Sequence, residues 1–257
     1  QISQYDLPLS KDGFLDIGVN GKTKRIDIRR VHLEEDAGKL IHRDDISLVD
    51  FNRAGIPLLE IVSEPDMNSS GEAHQYLTTL KSIIEYLDVS DCDMEKGSLR
   101  CDANISIRAK NSSTLGIKAE LKNMNSFKAV KIALDFELKR QTALLENGVA
   151  VIQETRLWDE QEGITISMRS KEEASDYRYF PEPDLVPFSI EGSTIEAVRK
   201  GLPELPQEKM LRLKQKYGLS DVDVQFLVIE PKLVQFFEDS CKVYQSPKTI
   251  LNWIKGP

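Results

Sequence analysis

An α+β fold follows from three features of the sequence. Several strand-length segments alternate apolar and polar residues, two long segments between them carry apolar residues at helical spacing, and the last quarter shows helical spacing punctuated by prolines with no strand pattern. The expected architecture is antiparallel sheets packed with long helices over residues 1–200, followed by a small all-helical domain over 201–257.

The first strands come from residues 14–19 and 24–33, which flank Asn20-Gly21, the dipeptide that best supplies the two positive-φ positions of a two-residue hairpin turn. In the second arm Ile26 and Ile28 share one face, but Val31 and Leu33 have the opposite parity. A β-bulge at Arg29-Arg30 reconciles them and re-aims the residues that follow: His32, Glu34, Glu35 and Asp36, then Lys39. Residues 58–62, Leu-Leu-Glu-Ile-Val, have the composition of a buried strand, with Leu58, Glu60 and Val62 on one face and Leu59, Ile61 and Ser63 on the other. A carboxylate taken out of water costs on the order of several kcal/mol unless a cation or donors meet it. Glu60 is therefore either a site residue, a structural ion pair, or a residue on the wet face of an edge strand.

Ser69 with Glu72 reads as a capping box ahead of a helix whose stripe is Ala73, Tyr76, Leu77, Leu80, Ile83, Ile84 and Leu87. Residues 99–108 alternate as a strand and pair antiparallel with residues 117–122, which puts Asp102, Asn104, Glu120 and Lys122 on one polar surface. Solvated cross-strand ion pairs and a metal–phosphate site are both compatible with that surface. Asn125 or Ser126 caps a second long helix with Phe127, Val130, Leu134, Leu138 and Leu145 inside and Gly148 past its end. A further hairpin joins residues 149–158 to 164–169, and residues 177–184 form a proline-extended aromatic segment that either pins a loop or stacks on a base. Behind a boundary near residue 200, helices are expected over 208–217, 221–229, 232–243 and 248–255.

Composition narrows the chemistry. A net charge of −8 argues against a generic basic nucleic-acid coat. Three cysteines without C-x-x-C spacing argue against a disulfide framework or a zinc site and fit a reducing cytoplasm. No apolar run approaches membrane-spanning length, and both ends of the chain read as cut. Phosphate-loop, dinucleotide and H-E-x-x-H signatures are missing, and His32, His42 and His74 do not form a zinc set. What remains is acids on or beside strands: Glu34 or Glu35, Glu60, Asp102 and Glu120. Such hard oxygen donors suit Mg²⁺ bridging to substrate phosphates, with Lys39 and Lys122 to complement the phosphate charge.

Six strings carry a resemblance that goes further: HLEEDAGK (32–39), DFNRAGIPLLEIVSEPDM (50–67), MEKGSLRCDANISIR (94–108), AELKNMNSF (119–127), QETRLWDE (153–160) and MRSKEEASDYRYFPEPDL (168–185). They resemble the family of B subunits of bacterial aspartyl/glutamyl-tRNA amidotransferases, and LPELP (202–206) and NWI (252–254) continue the likeness. The resemblance implies a cradle domain related to glutamine synthetase, then a helical domain. It also implies an activity: phosphorylation by ATP, with Mg²⁺, of the side-chain carboxylate of Glu or Asp misacylated onto tRNA. Ammonia released from glutamine by a partner amidase then forms the amide, and a small third polypeptide straps the two larger ones together. Carried over by position, Glu35, Glu60, Asp102 and Glu120 are expected to hold metal and do the catalytic work, with Asn104, Lys122 and Lys39 at the nucleotide and Glu34 in support. The family's opening segment, with a further metal-ligating pair, and its tail domain are expected to lie beyond this chain. A docking protein that only presents tRNA to a partner enzyme is the alternative, and a glycosidase with paired carboxylates is a distant third.

Overall fold

The structure is a computed structural model that describes residues 4, 7–43, 45–168 and 189–256. The aromatic segment 177–184 lies outside the described residues. The chain divides into two units, Gln1–Leu77 with Cys101–Pro187, and Thr78–Arg100 with Phe188–Pro257. The expected boundary near residue 200 is thus displaced, and the second unit takes in an earlier segment as well.

In the first unit, β1 (Ser10–Val19) and β2 (Lys22–Glu35) form the expected hairpin. Asn20 and Gly21 turn it with φ of 50° and 75°, which only a residue pair tolerant of the left-handed region can supply. β5 (Pro57–Ser63) pairs antiparallel with β2, giving the order β1-β2-β5, and the register slips by one residue between Ile28 and Arg30. That is the bulge the parity conflict demands. Burial does not follow the expected parity, however. His32 is buried beyond the bulge, while Leu33 and its cross-strand partner Leu59 are exposed. β3 (Lys39–Arg43) and β4 (Ile46–Asp50) make a separate two-stranded hairpin. Arg53 donates to the Asp36 carboxylate at 2.8 Å, and the amides of Asp36 and Gly55 bond across to Ile56 and Asp36, which closes the loop at the base of that hairpin.

The second sheet has the order β6-β7-β8-β9. β6 (Ala103–Ile105) and β7 (Ala119–Lys122) are antiparallel with Asn104 opposite Glu120, as expected, but β6 is far shorter than residues 99–108. A Cβ built on Gly116 would overlap the carbonyl oxygen of Ile107, so the two chains pass too closely there for a regular ladder. β8 (Glu154–Asp159) runs parallel to β7, and β9 (Ile164–Ser167) returns antiparallel beside β8. The helix α2 (Phe127–Glu146), capped by Ser126, buries Ala129, Val130, Ala133, Leu134, Glu137 and Gln141. Leu138 and Leu145, expected inside, are exposed, because polar partners on β8 and β9 receive Glu137.

The helix α1 (Ser70–Tyr86) begins in the first unit and ends in the second. In the second unit the Tyr86 hydroxyl donates to the Val228 carbonyl at 3.2 Å. The helices α3 (Gly192–Gly201), α4 (Pro206–Tyr217), α5 (Asp221–Leu227), α6 (Pro231–Val243) and α7 (Pro247–Lys255) complete that unit around Leu213, Leu227, Val234, Phe237 and Leu251. Proline at the first turn of α4, α6 and α7 costs nothing, since the N–H it removes has no helical partner there. Of these five, only α3 has no counterpart in the sequence expectation.

Candidate functional site

Two polar faces of the first unit contain the expected site residues. On the β1-β2-β5 sheet, antiparallel pairing sets His32 opposite Glu60 and Glu34 opposite Leu58. Residues that pair or lie two apart share a face, so His32, Glu34 and Glu60 converge. Nε2 of His32 lies 3.2 Å from Oε1 of Glu34 and 3.7 Å from Oε2 of Glu60. The imidazole is buried, at 1% exposure, whereas the Glu60 side chain is 49% exposed. Of the alternatives open for Glu60, the wet face of an edge strand describes its exposure. β5 is an edge strand of its sheet, and water reaches the Glu60 carboxylate.

This donor set approaches what a divalent ion needs. One ligand atom from each of His32, Glu34 and Glu60 lies within 4.8 Å of the others. An ion with bonds of about 2.0–2.2 Å spans donors roughly 3–4 Å apart, so modest tightening brings these three onto one cation. The Nδ1 atom of His32 is buried without a hydrogen-bond partner among the described residues, so nothing there enforces one tautomer. With the proton on Nε2 the ring donates to Glu34; with it on Nδ1, Nε2 presents its lone pair to a cation. Two carboxylates with one imidazole fit Mn²⁺ or Mg²⁺ completed by water.

Glu35, the last residue of β2, pairs with Pro57, and alternation gives it the opposite face from Glu60. Lys39 opens β3, is exposed, and pairs with Asp50. Of the four acids expected to hold metal or nucleotide, Glu60 falls in the set of three metal-capable side chains found among the described residues, whereas Glu35, Asp102 and Glu120 lie outside that set.

On the β6-β7-β8-β9 sheet the expected polar surface is present. Asp102, Asn104, Glu120 and Lys122 share a face, because Asn104 pairs with Glu120 and Asp102 precedes β6 in step with Lys122. Lys122 Nζ lies 2.6 Å from Asp102 Oδ2 and 3.4 Å from Glu120 Oε1. An ammonium already stands between these two carboxylates, so they fit a cation less well than the His32 cluster does. Burial draws the Lys122 ammonium toward deprotonation, but the hydrogen bond to Asp102 and the charges of Asp102 and Glu120 outweigh it, and its pKa is raised. Lys122 stays charged.

Behind that surface lies a buried ionic core. Glu137, with no exposure, accepts from Arg140 at 2.5 and 2.9 Å, from Gln141 at 2.9 Å and from Thr165 at 3.0 Å. Burial pushes its carboxyl pKa up, but these donors and the Arg140 charge prevail and hold it below the ordinary value. Arg156 extends the cluster to Glu154 at 2.6 Å. Sequence reasoning places His32 past the bulge without giving it a role, and misses Thr155 and Glu137. The two-residue spacing of His32 and Glu34 is a usable signal for the first, whereas Thr155 depends on a parallel pairing that no local pattern announces.

Comparison with known proteins places these residues in a family. Residues 1–196 match the GatB/GatE catalytic domain. The chain is 56% identical over 257 residues to the B subunit of the aspartyl/glutamyl-tRNA(Asn/Gln) amidotransferase of Thermoanaerobacter sp. (strain X514), covering 100% of this chain and 54% of the relative. Proteins of the same name from Carboxydothermus hydrogenoformans and Moorella thermoacetica are 53% identical over 259 residues and 54% over 260, covering 99% and 100% of this chain and 54% and 55% of those relatives. The chain spans about half the length of the curated relatives it matches.

Proposed function

The chain belongs to the GatB/GatE catalytic-domain family, and on that premise we propose that it activates the side-chain carboxylate of Glu or Asp misacylated onto tRNA, within a glutamine-dependent amidotransferase. In this reading the substrate carboxylate oxygen attacks the γ-phosphorus of ATP, ADP leaves, and an acyl phosphate forms. Ammonia then attacks the acyl carbon and phosphate departs. Activation is necessary because ammonia cannot readily expel oxide or hydroxide from a carboxylate, whereas phosphate is a good leaving group.

Such chemistry asks the protein for positioning and charge neutralisation rather than for a nucleophile. Glu60, Glu34 and His32 would hold a divalent cation, with Glu35 at the end of β2 as the further candidate from the family pattern. A bound Mg²⁺ supplies Lewis-acid neutralisation of phosphate oxygens. Lys122, kept charged by Asp102 and Glu120, would face the nucleotide phosphates, with Asn104 beside it and Lys39 as a further phosphate contact. Ammonia would come from a partner amidase, with a small third polypeptide in the same cytoplasmic complex. No helix among the described residues is long and apolar enough to cross a membrane.

The observation that supports this reading most is the convergence of His32, Glu34 and Glu60 within the stretch that matches the catalytic domain. A protein that only docks tRNA has no need of such a donor set. The test is amidation of misacylated tRNA by the complete enzyme with ATP, Mg²⁺ and glutamine. Glu60→Gln is expected to slow amidation by about a hundredfold to a thousandfold while glutamine hydrolysis by the partner amidase continues. Wild-type amidation by that variant would instead favour the docking role.

A further inference from the structure

We propose that Thr155 is a positioning residue for Glu120, an inference that rests on the reading of the Lys122 face as the phosphate-facing part of the site. The parallel register sets Thr155 beside Glu120, and the antiparallel register sets Asn104 on Glu120's other side, so the three form a row across the sheet. Thr155 Oγ1 donates to Glu120 Oε2 at 2.7 Å, the length of a charge-assisted bond. The other oxygen, Oε1, faces the Lys122 ammonium. Each Glu120 oxygen thus has its own partner, and the threonine decides which way the carboxylate turns.

Thr155 is well placed to do this. It is 7% exposed, so water does not compete freely for its hydroxyl, and its β-branched side chain has few rotamers on a strand. Its strand neighbours are anchored on the opposite face: Glu154 and Arg156 bond one another, and Arg156 donates to Thr165, which donates to the buried Glu137. Its own carbonyl accepts from the Met168 amide at 2.9 Å. The backbone at Thr155 is held from both sides, so the hydroxyl stays at a fixed height above the sheet. Glu120, itself partly solvated, does not need the bond for burial. Its consequence is orientation: with Glu120 fixed, Lys122 is drawn between two carboxylates instead of collapsing onto Asp102 alone.

The experiment compares Thr155→Val, Thr155→Ser and Glu120→Gln in the complete enzyme, by amidation kinetics, thermal midpoint and a crystal structure of the valine variant. Valine keeps the shape and removes the donor. A hydrogen bond to a charged group is worth enough to predict a fall of roughly tenfold to a hundredfold in amidation kcat. The thermal midpoint is expected to stay at the wild-type value, serine is expected to restore the rate to within about threefold, and Glu120 is expected to adopt more than one rotamer in the valine variant. Unchanged kcat in Thr155→Val with Glu120→Gln inactive overturns the positioning role alone. Equal losses in valine and serine variants, tracking a lowered midpoint, overturn it in favour of a packing role. Wild-type kinetics in Glu120→Gln overturn the reading of the face itself.

Discussion

The two acidic faces of the first unit differ in what stands among their carboxylates. On the β6-β7-β8-β9 sheet it is a lysine, 2.6 Å from Asp102 and 3.4 Å from Glu120, backed by a dry cluster of Glu137, Arg140 and Arg156. On the β1-β2-β5 sheet it is an imidazole, 3.2 Å from Glu34 and 3.7 Å from Glu60, at an edge that water reaches. The first face carries its own permanent cation, which offsets part of the charge of its two carboxylates. The second offers a lone pair or a proton, depending on tautomer, and suits an incoming divalent ion. In the proposed phosphoryl transfer Lys122 would meet phosphate oxygens and the His32 cluster a divalent ion, each from its own sheet.

That contrast can be broken most forcefully from behind. Glu137→Ala removes a fully buried carboxylate and leaves Arg140 and Arg156 with Glu154 as the one carboxylate they still share among the described residues. A loss of about 3–5 kcal/mol is expected, read by urea unfolding of the full-length protein. A loss under about 1 kcal/mol would mean that water takes over the arginines and that the face is not rigidly backed. Next in size, Glu60→Gln is expected to slow amidation by about a hundredfold to a thousandfold, the usual cost of one electrostatic group at a phosphoryl or acyl transition state. Its half-exposed position predicts an unchanged thermal midpoint. Lys122→Met is expected to lower amidation by about tenfold to a hundredfold, from loss of one charge-assisted contact, and to raise the half-saturating ATP concentration. Unchanged ATP dependence would detach this face from the nucleotide.

The smallest effects are in the pH dependence of stability. The Glu137 pKa is lowered on folding, so its contribution is complete above the unfolded value of about 4.3 and is lost as pH falls through the lower native value. The Lys122 pKa is raised, so its contribution is complete below about 10.4 and is lost as pH rises through the higher native value. Thermal midpoints measured from about pH 3 to pH 11 should therefore sag at both ends. In Glu137→Gln the acid limb should flatten, and in Lys122→Met the alkaline limb.

Much of this arrangement is legible from local pattern. Asn20-Gly21 demands a hairpin, the parity clash of Ile28 with Val31 demands a bulge, and alternation across residues 102–122 puts Asp102, Asn104, Glu120 and Lys122 on one surface; all three are present. What is not legible depends on contacts distant in sequence. An apolar strand leaves open whether Glu60 is desolvated or on a wet edge; strand order decides, and β5 lies at an edge. Leu138 and Leu145 look buried because leucines at helical spacing define an apolar stripe. The sheet instead offers Thr165 and Arg156 to Glu137, and the helix buries Glu137 and Gln141 beside Val130 and Leu134. Glu35 looks equivalent to Glu34 until the register gives the two residues opposite faces.

The proposed cation site joins Glu60 to His32 and Glu34 rather than to Asp102 and Glu120. Crystals of the complete enzyme soaked in Mn²⁺, with diffraction recorded at the manganese absorption edge, test it most directly. An anomalous peak is expected within bonding distance of Glu60 and Glu34, and it should disappear in Glu60→Gln. A peak between Asp102 and Glu120 with none beside Glu60, or a peak that persists unchanged in Glu60→Gln, would contradict it.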